Sequence, residues 1–93
     1  MIQAWKDPEA ERLFLGERPR HLPQDILGAA RRKLLILHAA EDLNDLRIPP
    51  GNRLEKLRED REGQHSIRIN KQWRICFRWS AGNAFDVEIV DYH

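Results

Sequence analysis

Ile48-Pro49-Pro50-Gly51-Asn52 divides the chain into two halves that obey different periodicities. Consecutive prolines fix φ and remove two backbone donors, and glycine then favours a turn. Neither a helix nor a central strand can cross this point. Before it, apolar residues recur at helical spacing; after it, they alternate. With 93 residues there is room for one modest core, so 1–93 reads as a single domain. Helices in the first half and strands in the second predict an α+β fold, with two N-terminal helices packed on a small, largely antiparallel sheet.

The first half is punctuated by its caps. Ile2 to Trp5 is a short strand candidate. Asp7-Pro8 reads as an N-cap followed by proline at the first helical position, and Glu9 and Glu11 suit a helix N-terminus. This helix should run to about Leu15 and stop at Gly16. Pro23 opens a longer helix through about Ala40, with Ile26, Ala30, Leu34 and Leu37 on its apolar stripe. Arg31, Arg32 and Lys33 fall largely off that stripe. They read as a solvated face, and as cations that could also touch phosphate. Glu41 to Leu46 allows a further helical turn.

After Asn52 the spacing becomes two. Arg53 to Arg58 is an irregular strand, because Leu54 and Leu57 have opposite parity there, which implies a bulge or a strand end. Asp60-Arg61-Glu62-Gly63 is a polar turn. His65–Ile69, Trp73–Trp79 and Ala84–Val90 alternate clearly and should form an antiparallel meander. Trp73, Ile75, Phe77 and Trp79 share one face, as do Phe85, Val87 and Ile89; Arg74, Cys76 and Arg78, with Asp86 and Glu88, take the other.

Alternation also predicts register, since a slip of one residue would send the apolar set to solvent. A three-residue loop at Asn70-Lys71-Gln72 pairs Ile67 with Ile75 and sets Arg68 directly opposite Arg74. Like charges so placed are destabilising, so a neighbouring acid or a bound anion is expected. A three-residue loop at Ala81-Gly82-Asn83 would pair Trp79 with Phe85, Phe77 with Val87, Arg78 with Asp86 and Cys76 with Glu88. It would also place Trp73 against Asp91 and Gln72 against Tyr92. The terminal Asp91-Tyr92-His93 then lies beside the Arg68–Arg74 pair.

Composition narrows the chemistry. Net charge is +1, which argues against a broadly basic nucleic-acid binder. Residues 1–50 hold eight bases and eight acids, whereas Gly63 to Phe85 holds Arg68, Lys71, Arg74 and Arg78 and no acid. That local band is the better guide. A single cysteine, Cys76, excludes an internal disulfide and fits a reducing cytoplasm. Histidines 21, 38, 65 and 93 show no metal-ligand spacing, and no phosphate-cradling glycine loop appears, so neither metal nor cofactor is expected. Leu34-Leu35-Ile36-Leu37 is too short to span a bilayer, and no signal peptide is expected, because Met1-Ile2-Gln3-Ala4-Trp5 turns charged at once. Two arginines beside an acid, a phenol and an imidazole suit metal-free RNA cleavage. A general base would take the ribose 2′-hydroxyl proton, arginines would stabilise charge on the phosphate, and a general acid would protonate the leaving oxygen.

Asp60 to Ile69, Trp73-Arg74-Ile75-Cys76-Phe77-Arg78-Trp79 and Asp86 to His93 resemble the HigB-type toxins of the RelE/ParE superfamily, and the similarity extends over nearly the whole chain. The resemblance implies the toxin of a type II toxin–antitoxin pair, an endoribonuclease that enters the A site of the small ribosomal subunit and cuts mRNA. It implies a HigA-like helix-turn-helix antitoxin, contact with operator DNA only through that antitoxin, a cytoplasmic location and no membrane partner. It implies catalytic roles for Asp91, Tyr92, His93 and Arg74, and phosphate or RNA contacts for Arg68, Arg74, Arg58 and Lys56. Some relatives carry a catalytic histidine where this chain has Glu55, which could serve as the base or be a surface carboxylate; another has lysine at the position of Arg58. A ParE-like inhibitor of a protein target such as gyrase, and a small nucleic-acid-binding regulator, remain alternatives.

Overall fold

The computed structural model of the chain describes residues 1–92; His93 lies outside them. Helix α1 spans Pro8–Phe14 and α2 spans Leu27–Ala39. Strands β1 (Glu55–Lys56), β2 (Gln64–Arg68), β3 (Trp73–Ser80) and β4 (Asn83–Asp91) form one antiparallel sheet in the order β1-β2-β3-β4. Short 3-10 turns lie between these elements at Gln24–Ile26, Leu43–Arg47, Pro50–Asn52 and Glu59–Arg61. Among the described residues, no helix is long and apolar enough to cross a membrane.

The helix caps follow the sequence. Asp7 is extended, and its Oδ1 accepts from the Glu9 amide at 2.9 Å, while Pro8 occupies the first turn. The second helix begins later than expected. Gln24–Ile26 forms a 3-10 turn, and α-geometry starts at Leu27. The stripe Ile26, Ala30, Leu34 and Leu37 is buried, and it meets Ile67, Ile75, Phe77, Val87 and Ile89 from the sheet in one core. Arg31 and Lys33 are not simply solvated. Arg31 donates to the carbonyls of Leu13 (3.2 Å) and Phe14 (3.4 Å), closing the C-terminal end of α1. Lys33 Nζ donates to Asn52 Oδ1.

Ile2 to Trp5 does not become a full strand. It makes two isolated parallel bridges to β4, Ile2 with Ala84 and Trp5 with Val87. The irregular strand at Arg53–Arg58 shrinks to Glu55–Lys56, with the Leu57 amide adding one bond to the Gln64 carbonyl at 2.9 Å. The β2–β3 register is as alternation requires: Ile67 faces Ile75, and Arg68 faces Arg74.

The β3–β4 hairpin departs from expectation. Ala81-Gly82 makes a two-residue turn with φ of 52° and 79°, and Ser80 pairs with Asn83, Trp79 with Ala84 and Arg78 with Phe85. Register shifts at a bulge between Cys76 and Arg78, where Asp86 takes a φ of 52°. Both positive-φ positions of the turn match the twist of the strands, and the bulge absorbs the residue the tighter turn frees. Ala84 is therefore buried where Phe85 was expected, and Phe85 is only half-buried. Past the bulge the expected pairs return: Cys76 with Glu88, Ile75 with Ile89, Trp73 with Asp91. Arg78 and Asp86 still meet, at 3.4 Å.

The sheet face away from the helices is not open to water either. Gln64, Ser66, Arg74 and Cys76 are buried there. Arg61 lies across this face, donating to Gln64 Oε1 (3.2 Å) and Glu88 Oε2 (3.1 Å), and Lys6 reaches Glu88 at 3.4 Å. Burial opposes the Arg61 charge, but the hydrogen bond and charge of Glu88 outweigh it and hold the guanidinium above its usual range.

Two expectations follow for stability. Asp7→Ala removes both the α1 cap and an acceptor, Oδ2, for the Ile89 amide (3.4 Å), and should destabilise the chain by about 1–2 kcal/mol in urea unfolding. His65 stacks on Phe77, with centroids 6.0 Å apart; burial, and then the nearby Lys56 charge, push its pKa below the usual value. The unfolded chain therefore binds that proton first, and stability is lost as pH falls through about 6.5. Melting temperatures of His65→Phe should show a shallower decline across that range than those of the unsubstituted protein.

Candidate functional site

The buried pair of strands β2 and β3 carries two arginines to the end of the sheet farthest from the Ala81-Gly82 turn. There Arg53, Glu55, Arg68, Asn70, Lys71, Arg74 and Tyr92 line an open hollow of about 300 Å³. A larger hollow of about 400 Å³ lies at the opposite end, between the end of α2 and the β3–β4 turn. It is lined by Met1, His38 to Glu41 and Ala81 to Asn83, and lacks the arginine pair that makes the first one chemically distinctive.

Arg74 is the centre of the first hollow. It is only 8% exposed, and a guanidinium cannot shed its charge to escape burial. Its Nε donates to Ser66 Oγ at 2.8 Å and its Nη2 to the Arg53 carbonyl at 2.7 Å. Nη1 lies 3.6 Å from Glu55 Oε1, and the Tyr92 ring stands 5.6 Å from the guanidinium carbon. Arg68, directly opposite, turns its Nε to the Asn70 carbonyl at 2.9 Å. Asn70 organises the loop below. Its Oδ1 accepts from the amides of Gln72 and Trp73, both at 2.8 Å. Tyr92 is held by its amide, which donates to the Gln72 carbonyl at 2.6 Å.

The expected site residues do not all converge. Tyr92, Arg74, Arg68 and Glu55 do. Asp91 pairs with Trp73, on the other side of the pleat from Arg74, and its Oδ2 accepts from Gln72 Nε2 at 3.0 Å. Glu55 pairs with Ser66 and so shares the Arg74 face, whereas Lys56 pairs with His65 on the opposite one. Lys56 and Arg58 line a separate hollow with Leu57, Glu59 and Glu62. His93 lies outside the described residues. The acid expected near the arginine pair is Glu55, with Glu88 engaged by Arg61 and Lys6 instead. Arg53 and Lys71 line the hollow without having been singled out; Lys71 lay within the acid-free band, but Arg53 gave no signal.

Four cations therefore surround one carboxylate and one phenol, an arrangement suited to a phosphodiester. Cys76 is fully buried, and burial pushes its thiol up, so it is no nucleophile. Among the described residues, no cluster of three or more His, Cys, Asp or Glu side chains could hold a metal ion.

Comparison with known proteins identifies the family. A family model described as the RelE-like toxin of the type II toxin–antitoxin system HigB matches residues 3–93, and the chain belongs to that family. It is 45% identical over 87 residues to Toxin HigB-1 of Vibrio cholerae, covering 92% of each chain. It is 28% identical over 93 residues to Endoribonuclease HigB of Proteus vulgaris, covering 100% of both. Among solved structures it resembles the YoeB-YefM complex of Staphylococcus aureus, with a TM-score of 0.56, 16% identity, and coverage of 100% of this chain and 98% of that one. The last likeness is one of fold.

If the hollow receives phosphate, it should behave as an electrostatic site. Short single-stranded RNA should bind with an affinity that falls with salt, and Arg68→Ala and Arg74→Ala should each lower the log–log slope by about 0.7. Fluorescence anisotropy across a salt series reads this directly, and an unchanged slope in the double variant would exclude the arginine pair from the contact.

Proposed function

We propose that this toxin, as a member of the HigB-like family, is an endoribonuclease that cuts mRNA on the ribosome by 2′-hydroxyl attack on the adjacent phosphate. The observation that carries the reading is the set of Arg74: a fixed cation whose Nη1 is directed towards Glu55 at the hollow's edge, with Tyr92 over its face and Arg68 opposite. In this reading Arg74 and Arg68 neutralise charge gathering on the phosphate oxygens. Glu55 or Tyr92 takes the 2′-hydroxyl proton, and His93, by its resemblance to the family pattern, protonates the leaving oxygen. Asp91 supports the terminal strand through Gln72. Arg58 and Lys56, on a neighbouring hollow, extend the contact along the RNA or the ribosomal surface.

The partners proposed with this activity are the A site of the small ribosomal subunit, the message within it, and a HigA-like helix-turn-helix antitoxin that restrains the toxin and alone touches operator DNA. The cytoplasm is the compartment where all of these meet. Neither metal nor cofactor enters the scheme.

Single-turnover cleavage on programmed ribosomes, read by primer extension, tests the proposal. Arg74→Ala should slow cleavage about a hundred-fold or more. Glu55→Gln, Tyr92→Phe and His93→Gln should separate the proton-transfer groups, since a true general acid or base contributes about a hundred-fold and a bystander a few-fold at most. Arrested growth with the message intact would overturn the reading and point to a protein target instead.

A further inference from the structure

We propose that Ser66 is a positioning residue of this site, holding Arg74 in orientation without cancelling its charge. The inference rests on the reading above for its consequence in catalysis, though not for its geometry. Ser66 sits on β2 between Glu55 on one side and Cys76 on the other, and is fully buried. A buried hydroxyl needs a partner, and a buried guanidinium needs several. Here the two meet: Ser66 Oγ accepts from Arg74 Nε at 2.8 Å.

The second support is a backbone carbonyl. Arg53 O accepts from Nη2 at 2.7 Å, and Arg53 itself is held at a φ of 45°, in the left-handed region that a non-glycine residue rarely adopts. The turn before it is fixed by Asn52, whose fully buried amide donates to the carbonyls of Leu46 (3.1 Å) and Ile48 (3.3 Å) and accepts from Lys33. The support for Arg53 thus reaches back to α2.

The choice of acceptors carries the argument. Nε and Nη2 lie on one flank of the planar guanidinium, and two in-plane bonds on that flank fix its rotation. Both acceptors are neutral, so neither cancels the positive charge, and Nη1 faces the Glu55 carboxylate at the edge of the hollow. A carboxylate in place of Ser66 would orient Arg74 equally well but neutralise it. The charged neighbour that is present, Glu55, stands at a longer 3.6 Å and is half exposed, where an incoming phosphate can displace it.

Variants at Ser66 and Arg74, read by cleavage rate, ribosome affinity and side-chain exchange, test this. Ser66→Ala should slow single-turnover cleavage about ten-fold or more while changing ribosome affinity by no more than about two-fold, because misplacement of a catalytic group acts on the rate. Ser66→Thr, which keeps the oxygen, should restore most of the rate. In an Arg74→Ala background, Ser66→Ala should have no further effect on the rate; a purely structural serine would lower both backgrounds alike. Independently of activity, the Arg74 Nε–H resonance should be protected from water exchange in the unsubstituted protein and in Ser66→Thr, and exposed in Ser66→Ala. A freely exchanging Nε–H in the unsubstituted protein would overturn the positioning role whatever the cleavage rates. Full cleavage by Arg74→Ala would overturn the phosphate reading instead, while the resonance still judged Ser66. A folded Ser66→Ala protein with undiminished cleavage would refute the catalytic consequence.

Discussion

Arg68 and Arg74 stand directly opposite each other because the hydrophobic register leaves them no alternative. Shifting β2 by one residue would separate the arginines, but it would also turn Ile67 away from the core that it shares with Ile75, Phe77 and the helices. Burying those side chains is worth about 1.5–3 kcal/mol each. A cross-strand charge repulsion is worth about 1 kcal/mol or less, so the core prevails. The sheet thereby holds a concentration of positive charge that its own packing enforces. Glu55 relieves it in part, from the mouth of the hollow. A ligand phosphate would relieve it further.

The same sheet face shows two ways of holding a guanidinium. Arg61 is matched by a carboxylate, donating to Glu88, which also receives Lys6. Arg74 is held by a hydroxyl and a carbonyl at hydrogen-bond distance, with the Glu55 carboxylate farther off at 3.6 Å. Two arginines on one surface thus differ in setting: Arg61, about a third exposed, is fastened to a carboxylate, while the buried Arg74 is oriented chiefly by neutral acceptors. Net charge alone, at +1, gives no hint of that division.

The helix caps, the alternation of the three long strands and the β2–β3 register were readable in the sequence because each rests on residues close together in the chain. Asp7-Pro8 announces α1, and Ile67, Ile69, Trp73 and Ile75 leave one pairing only. The β3–β4 hairpin was misread because a turn with two positive φ values favours asparagine or glycine at both central positions, and here the first is Ala81. Nothing local marked Asp86 as the bulged residue that compensates. The supports of the site were hidden for a different reason. Ser66 in a strand reads as an outward polar residue, and Asn52 after Pro-Pro-Gly reads as an ordinary turn former. Their burial depends on what folds over them, from Leu46 to Leu57 in the chain. The convergence of Tyr92 with Arg74 followed from register; Asp91 was expected beside them and instead shares the Trp73 side of the pleat, since neighbours in a strand point to opposite faces.

Asp7 also bears on the order in which the molecule assembles. One carboxylate oxygen caps α1 and the other accepts from Ile89, 82 positions further along the chain. The hairpins of the sheet join neighbours across short turns and lose little chain entropy in closing. The N-terminal segment pairs with β4 in the sheet, so its docking there requires that strand to be in place. Until then β4 presents an unprotected edge, with bare amides at Ala84, Val87 and Ile89 that another extended chain could take. The bridges at Ile2 and Trp5, and the Asp7 carboxylate after them, close that edge from within. The N-terminal segment therefore serves as an edge cover: it occupies backbone donors of β4 that would otherwise be open to pairing.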